Sequence, residues 1–79
     1  MYKVISCTKH YNSKDGNPRY RLSLQHEDTK DIVLACTLLN AMWVYSITWD
    51  TMVGKRVQPV LSEDGRTMWK RLEQIIILD

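Results

Sequence analysis

Asn12-Ser13-Lys14-Asp15-Gly16-Asn17-Pro18-Arg19-Tyr20-Arg21-Leu22-Ser23-Leu24-Gln25-His26 divides into two halves of different character. Asp15-Gly16 and Asn17-Pro18 carry turn chemistry: glycine takes a positive φ, and proline fixes its own φ and has no N–H to donate. From Arg19 onward the chain alternates. Tyr20, Leu22 and Leu24 fall on one side of an extended backbone; Arg19, Arg21, Ser23 and Gln25 fall on the other. This is the pattern of a strand with one buried face and one cationic, hydrogen-bonding face. Pro18 sits where a strand can begin without losing a ladder bond.

Upstream, Tyr2 to Lys9 is β-branched and lacks a run of helix formers, so it is expected to be the first strand, pairing with the second as a hairpin. Its alternation is imperfect because Val4 and Ile5 are adjacent. Downstream, Glu27 to Asp31 is a charged turn. Ile32-Val33-Leu34-Ala35-Cys36 is a continuous apolar run, expected as a third strand covered on both faces. Thr37 to Trp49 supports two readings. As a helix, Thr37 is the N-cap and Leu38, Met42 and Tyr45 share a face; as a strand, Trp43, Tyr45, Ile47 and Trp49 alternate with Val44, Ser46 and Thr48. The favoured expectation is a short helix from about Leu38 to Tyr45. Lys55 to Leu61 is the expected fourth strand, with Pro59 marking an edge or bulge. Ser62-Glu63-Asp64-Gly65 is a hairpin turn, and Arg66 to Leu78 the last strand. In that strand Trp69, Arg71, Glu73, Ile75 and Ile77 share one side. A helix starting at Thr67 is the competing reading, and Ile75-Ile76-Ile77 opposes it because β-branched side chains lose rotamer freedom in helices.

The order is three strands, a short helix, then two strands. That predicts a mainly β protein: a small five-stranded OB-like Greek-key barrel with one short helix between strands three and four. With 79 residues, one domain spanning residues 1–79 is expected. Two pieces, "YNSKDGNPRYRLSL" and "VGKRVQPVLSEDGR", with the aromatic-rich segment between them, resemble small single-domain OB-fold-like proteins of bacteriophages. Those carry a turn-Gly-Asn-Pro-Arg-aromatic start to the second strand and a Gly-Lys-x-Val start to the fourth. The resemblance implies the barrel more than it implies a function.

The formal net charge is only +2, but it is unevenly distributed. Lys3, Lys9, Lys14, Arg19 and Arg21 stand against Asp15 alone in the N-terminal quarter, whereas Glu27 to Asp50 is acidic. An anionic ligand on the N-terminal half fits that segregation. In OB-folds the second and third strands, with the loops joining strands one to two and four to five, commonly form the ligand groove. The candidate nucleic-acid-binding residues are therefore Lys9, Lys14, Arg19 and Arg21 for phosphates, with Tyr11 and Trp69 as stacking platforms. The expected partner is single-stranded DNA or RNA, bound with little regard to sequence.

Other chemistries have weaker support. Cys7-x-x-His10 with His26 and Cys36 supplies zinc-type ligands, but the second pair lacks ligand spacing, so no metal is assigned. No nucleophile elbow or phosphate loop is present, and the carboxylate pairs Glu27/Asp28 and Glu63/Asp64 lie in turns. The chain is read as non-enzymatic and without cofactor. It opens directly on a strand-like run, with no leader segment or membrane span, so the cytoplasm (of the host, for a phage protein) is expected. A rival reading starts from the apolar surplus of Leu38, Leu39, Met42, Trp43, Trp49, Met52 and Ile75 to Leu78. A barrel too small to enclose it would expose a protein interface, for capture of a host protein or for pairing with a second copy.

Overall fold

A computed structural model of the chain describes residues 1–10, 19–38, 42–63, 65 and 67–78. Five strands close into a barrel: β1 (Tyr2–His10), β2 (Arg19–His26), β3 (Ile32–Thr37), β4 (Arg56–Ser62) and β5 (Lys70–Ile77). Their order around the wall is β1-β2-β3-β5-β4. β3 and β5 run parallel, and the remaining pairs, including the β1–β4 closure, run antiparallel. This is the Greek-key arrangement of a small OB-like barrel.

The alternation read from β2 sets the interior. Leu22 and Leu24 are fully buried, and Leu22 lies opposite Ala35 of β3, also fully buried. Val4, Val57, Leu72, Ile75, Val44, Trp49 and Met52 complete the core. Two strands change phase to deliver it. Between Val4 and Ser6 the β1–β2 register slips by one residue, leaving Ile5 as an extra residue, 44% exposed. Between Val60 and Leu61 the β4–β5 register slips at Glu73, so Leu72 on one side of that residue and Ile75 on the other both face inward. A bulge places two residues of one strand against one of its neighbour and so inverts which parity is buried.

Three expectations are corrected. The segment after β3 is not an α-helix where it is described. Residues 39–41 lie outside the described residues, and the chain then forms two 3-10 turns, Met42–Ser46 and Trp49–Thr51. The hydrogen bonds span three residues, Ile47 N–H to Val44 O and Met52 N–H to Trp49 O. The cause is local: the Ser46 hydroxyl donates to Trp43 O at 2.6 Å and the Thr51 hydroxyl to Thr48 O at 3.1 Å, competing with an α-helical ladder. The buried Trp49 indole N–H takes Val44 O at 2.9 Å, while its ring stacks on Tyr20 with centroids 4.4 Å apart.

The second correction concerns β3. Its apolar run is covered on both faces only at the Ala35–Thr37 end, and Ile32 is 53% exposed. The third concerns β5, which begins at Lys70 rather than Arg66. The Thr67 hydroxyl accepts the Trp69 N–H at 3.0 Å and donates to Trp69 O at 3.2 Å, so that stretch satisfies its own polar groups and stays out of the ladder. The expected tight Asp-Gly hairpin is thus a longer loop. Gly65 within it has a φ of +73°, and Asp64 and Arg66 lie outside the described residues.

One end of the barrel is tied shut by main chain and one ion pair. Val4 N–H bonds to Lys55 O, Gly54 N–H to Val4 O, Leu78 N–H to Arg56 O and Glu27 N–H to Met1 O. Arg56 grips Glu27 through both carboxylate oxygens, at 2.7 and 3.3 Å. The candidate site lies at the other end, where β2 and β5 begin and β3 finishes.

Candidate nucleic-acid interface

The site starts from a row of side chains on the outer wall. Thr8 of β1 lies opposite Arg21 of β2, Arg21 opposite Cys36 of β3, and Cys36 beside Arg71 of β5. Cβ atoms of residues paired across strands share a face, so two arginines flank one cysteine from either side of β3. Two residues earlier on β2, Arg19 lies on the same face. Its guanidinium reaches β3, with Nε donating to Thr37 O at 3.3 Å and Nη2 to the Cys36 sulfur at 3.5 Å. Thr37 is itself fully buried, and its hydroxyl accepts the Tyr20 N–H at 2.9 Å, pinning the start of β2 to the end of β3.

Over this row lies a cleft of about 270 Å³. Arg19 and Arg21 form one wall, Cys36, Thr37 and Leu38 the floor, and Thr67, Trp69, Lys70 and Arg71 the other wall. The Arg21 guanidinium sits 4.9 Å from the centre of the Trp69 ring, a cation–π contact between two residues of the cleft lining. On the far wall, Lys70 pairs with the Glu63 carboxylate, and Arg71 Nη2 donates to the Glu63 main-chain oxygen at 3.1 Å. Glu73, the carboxylate two residues on, takes the Ser62 hydroxyl at 2.6 Å and does not line the cleft. Among the described residues, then, Arg19 and Arg71 are oriented by carbonyl oxygens and a thiol, and no carboxylate neutralises either.

Of the six residues singled out in the sequence, the fold brings Arg19, Arg21 and Trp69 together. Lys9 is exposed but lies opposite Tyr20, on the other side of the ribbon from Arg19 and Arg21. Tyr11 and Lys14 lie outside the described residues. Thr37, Lys70 and Arg71 join the site without having been singled out. Arg71 had a legible signal, since it shares strand parity with Trp69. Thr37 had none, because its place depends on the parallel pairing of two strands more than 30 residues apart.

The cysteines do not converge. Cys7 lies opposite the buried Leu22 and Cys36 opposite Arg21, which places them on opposite sides of the sheet. Burial, with the Asp50 carboxylate adding to it, pushes the Cys7 thiol up to about 11, so it is protonated and a poor nucleophile at neutral pH. His26 is occupied as a turn acceptor, its Nδ1 taking the N–H of Asp28 at 3.1 Å and of Thr29 at 3.3 Å. Among the described residues, no helix is long and apolar enough to cross a membrane.

No protein-family model, curated protein or solved structure matches the chain.

Proposed function

We propose that this barrel is a non-enzymatic, sequence-tolerant binder of single-stranded nucleic acid, acting through the cleft beside β2, β3 and the β4–β5 loop. The observation that carries the reading is the composition of that cleft: three guanidiniums and a lysine around one indole, with no acidic side chain among the described residues of its lining. It occupies the part of the barrel where OB-folds generally hold oligonucleotides. An aromatic plate accepts any base, since every base has a π-face, and the cations answer the phosphates. Such a protein suits the cytoplasm of a cell, or of an infected host if the phage resemblance reflects descent.

Fluorescence anisotropy with a labelled dT oligonucleotide tests this reading. Three phosphate contacts on a single strand should weaken binding by roughly 20-fold between 50 and 200 mM salt. The Arg19→Ala/Arg21→Ala double variant should lose about 10- to 100-fold in affinity, on the scale of charge-assisted hydrogen bonds. Absence of binding at low salt, or an unaltered double variant, would remove the reading.

A second reading rests on the apolar side chains that the barrel leaves outside. Trp49 and Met52 are core, but Met42 is 68% exposed and Ile76 52%. An interaction module for a host protein or a second copy would use these. Light scattering on the purified protein separates the two readings: a monomer that binds oligonucleotide favours the first, and an oligomer that binds none favours the second.

A further inference from the structure

Three arginines of the cleft cluster about one register row of the wall. Arg21 and Arg71 flank Cys36 in one register row, and Arg19 is drawn to the same place by its bonds to the Cys36 sulfur and Thr37 carbonyl. With strands about 4.8 Å apart, the backbones of Arg21 and Arg71 stand roughly 10 Å from one another, within joint reach of a single anion between their long side chains. An internal stretch of nucleic acid presents monoanionic diesters in sequence, one per nucleotide, and would be matched by cations strung along a groove. A phosphomonoester presents a charge of about −1.5 to −2 and three acceptor oxygens at one place. Guanidiniums, with their planar forks, suit that geometry. The cleft, about 270 Å³, is on the scale of one nucleotide. Arg21 lies over one face of the Trp69 ring, and a ring has a second face on which one base can stack.

Resting on the strand-binding reading, we infer that this cleft receives the phosphorylated end of a single strand, its terminal phosphate held between Arg19, Arg21 and Arg71 and its terminal base against Trp69. The end, rather than the interior, is the preferred ligand.

Anisotropy competition with four unlabelled dT oligomers tests it: hydroxyl at both ends, 5′-phosphate, 3′-phosphate, and a hydroxyl-ended strand two nucleotides longer that matches the added charge. At least one phosphorylated oligomer should compete about tenfold better than both hydroxyl-ended strands, and the arm showing the gain identifies which end is read. Arg71→Gln should weaken the phosphorylated oligomer about tenfold more than it weakens the hydroxyl-ended strand, so that the preference is lost. Lys3→Gln, on β1 opposite Gln25 and away from the cleft, should preserve it. If Arg71→Gln does not fold, Arg71→Lys, which keeps the charge and loses the fork, should reduce the preference. Equal competition by all four strands overturns end recognition and leaves strand binding standing; no competition by any overturns both.

Discussion

Arg56 and Arg71 carry the same guanidinium and stand at opposite ends of the barrel, yet their surroundings differ in kind. Arg56 meets a carboxylate, gripping both oxygens of Glu27 where the β2–β3 turn meets the start of β4. Arg71 is steered by a main-chain carbonyl, and beyond β3 it faces Arg21, another cation. The first arrangement cancels charge and closes the wall. The second fixes the direction of a charge that no carboxylate among the described residues cancels. Like charges gathered within a Debye length, about 10 Å at 0.1 M salt, repel one another until an anion arrives. A net charge of +2 therefore says little about this protein, and the partition of its arginines between its two ends says more.

That contrast can be attacked from either end, and the cleft should give the larger effect. Trp69→Ala removes the plate under the Arg21 guanidinium, and should lower oligonucleotide affinity by about 1–3 kcal/mol, roughly 5- to 150-fold by titration calorimetry. Because Trp69 lies outside the core cluster, the melting temperature should move little. A large loss of stability with unaltered affinity would reverse the assignment of the two ends.

Glu27→Gln should do the opposite on a smaller scale: a slight drop in melting temperature and no change in affinity, as expected of an exposed ion pair. The hydrogen bond from Arg56 is the main cause holding the Glu27 carboxyl below its ordinary value of 4.5. A lowered pKa in the folded state means that the stabilisation is whole above the ordinary value and disappears as pH falls through the lowered one. Melting curves of wild type and Glu27→Gln should therefore differ at pH 7 and converge in acid. A gap that persists there would show that the pair is not what Glu27 contributes.

Much of the scaffold could be read locally. The alternation from Arg19 to His26 is sharp because one face of β2 meets the core and the other meets solvent, and the structure keeps both boundaries of that strand. Strand number and order followed from runs of β-branched residues separated by turn chemistry. What escaped depended on distant partners. The 3-10 turns are the exception, a local effect: Leu38 and Met42 favour a helix, but the Ser46 and Thr51 hydroxyls donate to main-chain carbonyls three residues back. Val4-Ile5 breaks the alternation of β1, and the one-residue slip at Ile5 accounts for it; the slip at Glu73, which turns both Leu72 and Ile75 inward, was not legible in the sequence. Half of the candidate site was visible as Arg19, Arg21 and Trp69. Arg71 could have been added from its shared parity with Trp69, whereas its place beside Cys36 depends on β5 lying parallel to β3, a pairing that no local pattern encodes.

The division of labour between the two ends is tested most directly by amide and indole NMR shifts during titration with a 5′- or 3′-phosphorylated dT oligomer. Arg19, Arg21, Cys36, Thr37, Trp69 and Arg71 should shift together and saturate with one affinity, while Glu27, Gly54 and Arg56 stay still. Shifts centred on Glu27 and Arg56, or spread evenly over the barrel wall, would contradict it.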